Sequence, residues 1–166
     1  VSGIQGMAID KNGDYYLVDN MSHKVTKYSA DGSTIKIVAG GNGTGSGLNQ
    51  LNSPAKVFVD NNLNVYVLDR GNHRVVKWLP NASSGIVVAG SASGVSGTGL
   101  SSLNYPDYFF IDENESVYIS DGGNRRVVRW TKGASDGVVV AGTGNSTLFP
   151  GAIYVDANFN IYVRDN

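Results

Sequence analysis

A fourfold internal repeat is the feature that most constrains how this chain folds. Four segments align without gaps, at 5–19, 55–69, 107–121 and 151–165. Each segment carries two Asp residues with the same spacing, and the pairs are Asp10 and Asp19, Asp60 and Asp69, Asp112 and Asp121, and Asp156 and Asp165. Repeats of about 50 residues are typical of folds in which one structural unit stacks on the next.

Two more segments follow the second Asp of the first three repeats. One is basic and ends in an aromatic residue (SHKVTKY, NHRVVKW, NRRVVRW), and the other ends in Val-Ala-Gly. All these segments are short, rich in β-branched and aromatic residues, and bounded by Gly, Asn, Asp or Ser, which is the pattern of strands. We therefore predict an all-β protein in which each repeat forms four antiparallel strands, the blade of a β-propeller.

The repeats divide the chain into three full blades and one half blade. The predicted blades are 5–47, 48–99 and 100–145, and the segment 146–166 supplies only the first two strands of a fourth. We expect the chain to be a piece of a longer propeller, to be partly observed, or to be completed by another chain.

These segments resemble the NHL repeat family over essentially the whole chain. The resemblance lies in Pro54, Pro106 and Pro150 ahead of each first strand, the hydrophobic-Asp ending of that strand, the Tyr-containing second strand that ends in Asp, and the Asn-x-Arg-Val start of the third. It implies a β-propeller of four-stranded antiparallel blades with the first strand of each blade nearest the axis.

The second Asp of each of the first three repeats precedes a basic residue by five positions. The pairs are Asp19 with Lys24, Asp69 with Arg74, and Asp121 with Arg126. A tight hairpin brings these positions together, and a partly buried charge needs a partner, so we expect ion pairs here. Asn72 and Asn124 are expected to occupy the left-handed positions of the same hairpins.

The first Asp of each repeat opens a turn. Asp10, Asp60, Asp112 and Asp156 begin turns rich in Asn and Asp, which resemble the start of a calcium loop. No Glu follows at the distance that a calcium loop requires, and Asp and Asn are ordinary turn residues. We expect structural turns, with no metal and no cofactor. His23 and His73 share one repeat position, which Arg125 occupies in the third repeat, so packing roles are expected for them.

Composition and sequence motifs argue against several classes of function. The formal net charge of −1 argues against a nucleic-acid-binding surface, and the chain has no Cys for thiolate chemistry. The basic residues Lys56, Arg70 and Arg164 are too scattered to resemble the basic face of RNA-binding NHL domains. No apolar run approaches the length of a membrane helix, so we expect no membrane insertion. No nucleophile motif is present, and we predict that the chain is not an enzyme.

Bulky residues stand in the first strands where the family pattern has small ones. Lys56 and Tyr108 replace Gly, and Phe58 and Phe110 replace Ala. Such residues either fill the interior or line an axial channel. In the second interpretation Lys56 and Tyr108, together with Asp107, would face a ligand.

Five Asn-x-Ser/Thr sequons occur, at Asn20, Asn42, Asn81, Asn114 and Asn145. All lie in predicted turns, as acceptors of N-linked glycans should. They favour a secreted, extracellular glycoprotein.

Together these features favour a non-enzymatic extracellular scaffold that self-associates, or binds protein partners, through the edge strands near Asn166. A second possibility is a ligand-binding or sensor domain of a longer secreted or receptor chain. A third comes from the resemblance alone: some NHL proteins are amidating lyases that hold zinc and calcium with His ligands, a set that His23 and His73 do not reproduce.

Overall fold

The computed structural model describes residues 3–143 and 147–166 and confirms the all-β prediction. It contains three four-stranded antiparallel sheets and one two-stranded sheet, each with its strands in chain order. No helix in the described residues is long and apolar enough to cross a membrane. The strands are β1(Ile4–Ile9), β2(Tyr15–Asp19), β3(Lys24–Tyr28), β4(Ile35–Gly40), β5(Lys56–Val59), β6(Val65–Asp69), β7(Arg74–Trp78), β8(Ile86–Gly90), β9(Tyr108–Ile111), β10(Val117–Asp121), β11(Arg126–Trp130), β12(Val138–Ala141), β13(Pro150–Val155) and β14(Ile161–Asp165).

The first strands of successive blades lie side by side at the centre. Strand β1 contacts β5, β5 contacts β9, and β9 contacts β13. The hairpins between second and third strands, and the connections between blades, lie at one end of the blades, which we call the loop end. The turns between first and second strands, and between third and fourth strands, lie at the opposite turn end.

Apolar side chains fill the space between neighbouring blades. Between the first and second blades, Tyr16 and Val18 pack with Val67 and Trp78, all of them buried. Equivalent clusters join the second blade to the third and the third to the half blade. Because both faces of a blade are covered by neighbours, strands such as β6 and β10 are buried at every position.

Two blade faces are uncovered in this chain. On the first blade, alternate side chains point away from the second blade and are exposed to solvent. Three of these are apolar or aromatic, namely Met7, Ile9 and Tyr15. Tyr154 and Tyr162, paired across β13 and β14, are exposed on the half blade. These surfaces have the same apolar character as those buried between blades.

Two buried ion pairs organise the loop end. The Arg74 Nε donates to Asp69 Oδ2 at 2.8 Å, and neither side chain is exposed to solvent. The rest of the Arg74 guanidinium donates to the carbonyl oxygens of Ser46, Gly47 and Ala92, which lie in the connections on both sides of the second blade. Asp121 and Arg126 form the same pair in the third blade, also at 2.8 Å, and the Arg126 guanidinium donates to the carbonyl oxygens of Thr98, Gly99 and Ser102 in the connection before that blade.

The first blade lacks the corresponding ion pair. Asp19 accepts hydrogen bonds from the N–H groups of Met21 and Ser22, and no Asp19–Lys24 ion pair forms within the described part of the chain. The expected pairing therefore occurs in two blades of three. Lys24 cannot replace Arg, because a single ammonium group does not reach a carboxylate and several carbonyl groups in the planar geometry of a guanidinium.

The expected left-handed conformation of Asn72 and Asn124 is wrong. The left-handed residues are His73 and Arg125, with φ of 54° and 52°. Asn72 instead lies in a buried 3-10 turn, where its amide group donates to Asp69 Oδ2 and to the carbonyl oxygen of Gly45. The asparagine is used for its side-chain donors rather than for its backbone freedom.

The first Asp of each repeat holds the turn at the turn end. In all four repeats one carboxylate oxygen accepts two backbone N–H groups of the turn, and the other accepts the hydroxyl of the Tyr on the second strand. The four Asp–Tyr pairs are Asp10–Tyr16, Asp60–Tyr66, Asp112–Tyr118 and Asp156–Tyr162. Asp10 and its equivalents thus serve as acceptors within their own hairpins.

One residue of the turn end connects two blades. Glu115, in the turn between β9 and β10, accepts from Lys77 of the second blade at 2.7 Å and from Lys132 of its own blade at 2.6 Å. Lys132 and Lys77 lower the pKa of the Glu115 carboxyl from an ordinary 4.5 to about 2. This contact adds an electrostatic link to the apolar packing between the second and third blades.

We predict that Arg74→Met lowers the free energy of unfolding by about 3–5 kcal/mol, because it leaves the Asp69 charge buried without its partner. Lys24→Met, at the same repeat position, is the matched control and is expected to change stability by less than about 0.5 kcal/mol. Urea unfolding of both variants measures the difference. Equal losses would show that the buried pair contributes nothing specific.

We predict that the stabilising effect of Glu115 disappears in acid. Since the folded-state pKa is lowered, the effect is complete above pH 4.5 and is lost as the pH falls towards 2. The difference in unfolding free energy between the native chain and Glu115→Gln should therefore shrink across this interval. A difference that stays constant with pH would contradict the assignment.

Candidate functional site

The first strands bring Lys56 and Tyr108 together at the loop end near the axis. Each is the first residue of its strand, β5 and β9, and the Lys56 Nζ lies 5.7 Å from the centroid of the Tyr108 ring. Both side chains are half-buried. A role in an axial channel remains a prediction, but the two residues are neighbours.

A charged pair next to them bridges two blades. Arg70 begins the 3-10 turn after β6, and Asp107 directly precedes β9. The Arg70 Nη2 and Nε donate to Asp107 Oδ1 at 2.9 and 3.2 Å, and each side chain remains 45% exposed. This pair is thus accessible to a ligand, unlike the buried pair of Asp69 and Arg74.

Tyr105 forms an aromatic wall beside the charged pair. Its ring lies 5.8 Å from the Arg70 guanidinium and meets the His73 ring edge-on, with the ring centroids 4.7 Å apart. Its backbone is in the left-handed region at φ 44°, and its N–H donates to His73 Nδ1. The tyrosine is therefore held by its backbone while its side chain stays 56% exposed.

A groove opens on the other side of Asp107. It is lined by Asp107, Gly122, Phe149, Pro150 and Asn166. Gly122 occupies the repeat position of Arg70, and a Cβ at this glycine would lie 2.3 Å from Asp107 Oδ2. Among the described residues nothing donates a hydrogen bond to that oxygen. The Phe149 ring is 47% exposed, so the groove offers a carboxylate acceptor next to an aromatic face.

The two histidines have structural roles in the loop-end hairpins. The Nδ1 atoms of His23 and His73 accept the N–H groups of Ser53 and Tyr105, both at 3.0 Å. With Nδ1 as the acceptor, the proton of the neutral ring is on Nε2. Burial lowers the pKa of His73.

The structure distributes the remaining predicted residues over both ends of the blades. Asn20 and Asn42 lie at the loop end, Asn81 and Asn114 lie at the turn end, and Asn145 falls outside the described residues. Asn42, Asn81 and Asn114 are exposed, as acceptor sites should be. No group of three or more His, Asp or Glu side chains placed to hold a metal ion occurs in the described ranges.

A family model for the NHL repeat matches residues 51–78, which run from the connection before β5 to the end of β7. The chain carries an NHL repeat. This match confirms the resemblance of the sequence to NHL proteins. A search of curated proteins found no significant match.

Solved structures show that the NHL-repeat chain has a propeller fold. The virginiamycin B lyase of Staphylococcus aureus matches 96% of this chain with a TM-score of 0.68 and 12% identity. An auxiliary nutrient-binding protein of Bacteroides ovatus matches 98% with a TM-score of 0.71 and 16% identity. This chain covers 47% and 45% of those proteins, so it spans about half of their length. At these identities the likeness shows a shared fold alone.

These neighbours overturn the functional expectation from the sequence. The prediction of a non-enzymatic scaffold was wrong, because the solved structures that match this fold include lyases and nutrient-binding proteins. The exclusion of enzymatic activity fails for the same reason. One neighbour is a form of the staphylococcal lyase that replacement of a histidine by alanine makes catalytically inactive, solved with quinupristin. The absence of a nucleophile motif was therefore too narrow a criterion for this fold.

Sequence reasoning missed most of the candidate site. Arg70 and Tyr105 were not singled out for a ligand, and Phe149 was not considered. A usable signal did exist, because each of these residues differs from its equivalents in the other repeats. Arg70 stands where the other repeats have Asn20, Gly122 and Asn166. Tyr105 and Phe149 stand where the second repeat has Ser53. Departures at positions that the fold does not require mark a site better than shared residues do.

We predict that Arg70 and Asp107 interact across the blade boundary with about 0.5–1 kcal/mol, as expected for an exposed pair with two hydrogen bonds. A double-mutant cycle of Arg70→Met and Asp107→Asn measures this coupling by urea unfolding. A second cycle that combines Arg70→Met with Asp136→Asn, an exposed acid at the turn end, is expected to give no coupling. Equal values in both cycles would argue against a specific pair.

Proposed function

We propose that this NHL-repeat chain binds a small saccharide at the loop end, in the groove between the third blade and the half blade. The observation that carries the proposal is the Asp107 carboxylate. Arg70 holds one of its oxygens, and the other faces the groove beside Gly122 with no donor among the described residues.

The chemistry of the groove suits a hydroxyl-rich ligand. A carboxylate oriented by an arginine accepts hydrogen bonds from sugar hydroxyl groups, and such charge-assisted bonds are strong. The exposed Phe149 ring, which lines the groove, can pack against the apolar C–H face of a sugar ring. A few directed polar groups beside aromatic surface are the usual content of a small-molecule site.

The structural neighbours support a nutrient-binding role. Two of them are described as auxiliary nutrient-binding proteins, from Bacteroides ovatus and Bacteroides thetaiotaomicron. We propose an extracellular location for this chain as well, where a nutrient would be captured and where the exposed sequons at Asn42 and Asn81 would be available for glycans.

Saturation-transfer NMR with a panel of neutral mono- and disaccharides tests the proposal. At least one sugar is expected to bind, and Asp107→Asn is expected to weaken that binding by about tenfold, the usual effect of removing one charged hydrogen-bond partner. Gly122→Ala should weaken it too, because the new methyl group would occupy the space beside Asp107 Oδ2.

Two matched variants control for general effects. Asp136→Asn removes an exposed acid at the turn end, and Gly99→Ala adds a methyl group where no atom lies within 4 Å. Both should leave sugar binding unchanged. If no sugar binds, or if all four variants behave alike, the proposal is wrong. Product signals that grow over hours in the same samples would instead identify the site as catalytic.

A further inference from the structure

A cation recurs at the turn end of every full blade. Lys27, Lys77 and Arg129 occupy the same position on the third strands β3, β7 and β11. Each lies beside the tyrosine that binds the first Asp of its repeat. The Lys27 and Lys77 ammonium groups are 5.3 and 5.1 Å from the ring centroids of Tyr16 and Tyr66, and Arg129 interacts with the Tyr118 hydroxyl.

Two of these cations have a carboxylate partner at close range. Lys27 pairs at 2.7 Å with Asp14, which is the last residue of the turn in its own blade. Lys77 pairs at 2.7 Å with Glu115, which reaches over from the turn of the next blade. Besides the first Asp of the repeat, which lies 3.4 Å from Lys27 as Asp10, the fold therefore offers two further positions from which an acid can neutralise this cation.

Arg129 has neither acid. The position of Asp14 is occupied by Ser116 in the third blade, and the position of Glu115 is occupied by Phe159 in the half blade. Arg129 forms no ion pair with any described residue, and its Nε is buried without a hydrogen-bond partner. Unlike Lys27 and Lys77, Arg129 therefore carries a positive charge that no acid among the described residues pairs with, which leaves its guanidinium able to pair with an anion from outside the chain.

A groove of about 450 Å³ leads to Arg129. Ser116, Tyr118 and Lys132 contribute polar groups to its lining, and Phe159 contributes a ring that is 54% exposed. Phe159 and Glu115 share the same left-handed backbone conformation, with φ of 63° and 59°. The groove thus resembles the place where Glu115 meets Lys77, with the Phe159 ring in the position of the Glu115 side chain and Arg129 in the position of Lys77.

We propose that this turn-end groove between the third blade and the half blade binds a small carboxylate with an apolar body. The ligand carboxylate takes the place that Glu115 has beside Lys77 and pairs with the Arg129 guanidinium. Its apolar body packs against the Phe159 ring. A single carboxylate fits better than a polyanion, because Asp112 already places one negative charge in the same groove. This site is separate from the saccharide site at the loop end.

Titration of the chain with phenylacetate, followed by NMR, tests this inference. Phenylacetate is expected to perturb the resonances of Arg129 and Phe159, while phenylacetamide, which has the same shape without the charge, should bind at least about tenfold more weakly. Arg129→Gln should reduce phenylacetate binding by a similar factor. Equal binding of the two probes, or binding of neither, would overturn the proposal.

A second pair of variants uses the repeat itself. Phe159→Glu copies Glu115, so its side chain should pair with Arg129 and compete with phenylacetate, weakening binding by about tenfold. Phe159→Leu copies Leu63 of the second blade and removes the ring without adding charge, so it should retain the preference for phenylacetate over phenylacetamide. The result that would contradict the proposal is a Phe159→Glu variant that binds phenylacetate as well as Phe159→Leu does.

Because Phe159 is exposed, these substitutions keep the test valid even if Arg129→Gln unfolds the chain. Lys11→Gln, which removes an exposed cation from the first turn, is the control for nonspecific charge effects and should bind phenylacetate normally. If it loses as much affinity as Arg129→Gln, binding is not specific to the groove.

Discussion

The buried ion pairs of Asp69 with Arg74 and of Asp121 with Arg126 determine how one blade follows another. Each arginine satisfies a buried carboxylate and also donates to carbonyl groups of the connection before its blade, and Arg74 donates to the connection after its blade as well. Connections rich in Gly and Ser have little apolar surface to bury, so these hydrogen bonds, together with buried Leu51 and Leu103, give them a defined path. That path places Arg70, Tyr105 and Asp107 next to each other at the axis.

Both proposed sites are places where the repeat departs from itself. At the loop end, Gly122 replaces the equivalent of Arg70 and leaves space beside Asp107. At the turn end, Ser116 and Phe159 replace the two acids that neutralise the recurring cation. A repeated fold has redundant positions, since each contact is made several times, and a single copy can lose its contact without losing the fold. Such positions are free to acquire a ligand, which is consistent with both proposed sites lying at blade boundaries.

The sequence predicted the fold well and the candidate site poorly. Strand segments and the Asp–Arg pairing of two blades follow from local pattern, because hairpins join residues that are close in the chain. Lys56, Tyr108 and Asp107 lie near one another because they begin or precede neighbouring first strands. Arg70 and Phe149 were missed as partners because they lie far from Asp107 in sequence. The functional prediction also failed, since it took a missing motif as evidence against chemistry, and structures with this fold include lyases.

The sequence alone determined the all-β architecture, the turn chemistry and the alternation that buries both faces of each blade. Short β-branched segments that recur about every 50 residues bury their apolar surface most simply when each four-stranded unit packs against the next. The tertiary structure alone decided which charges are satisfied. Lys24 and Arg74 occupy the same repeat position, but only Arg74 is enclosed by the connections on either side of its blade. Likewise, Arg129 lacks the acid that the next blade places over Lys77. Partners that come from another blade depend on how blades stack, and no local pattern encodes that distance.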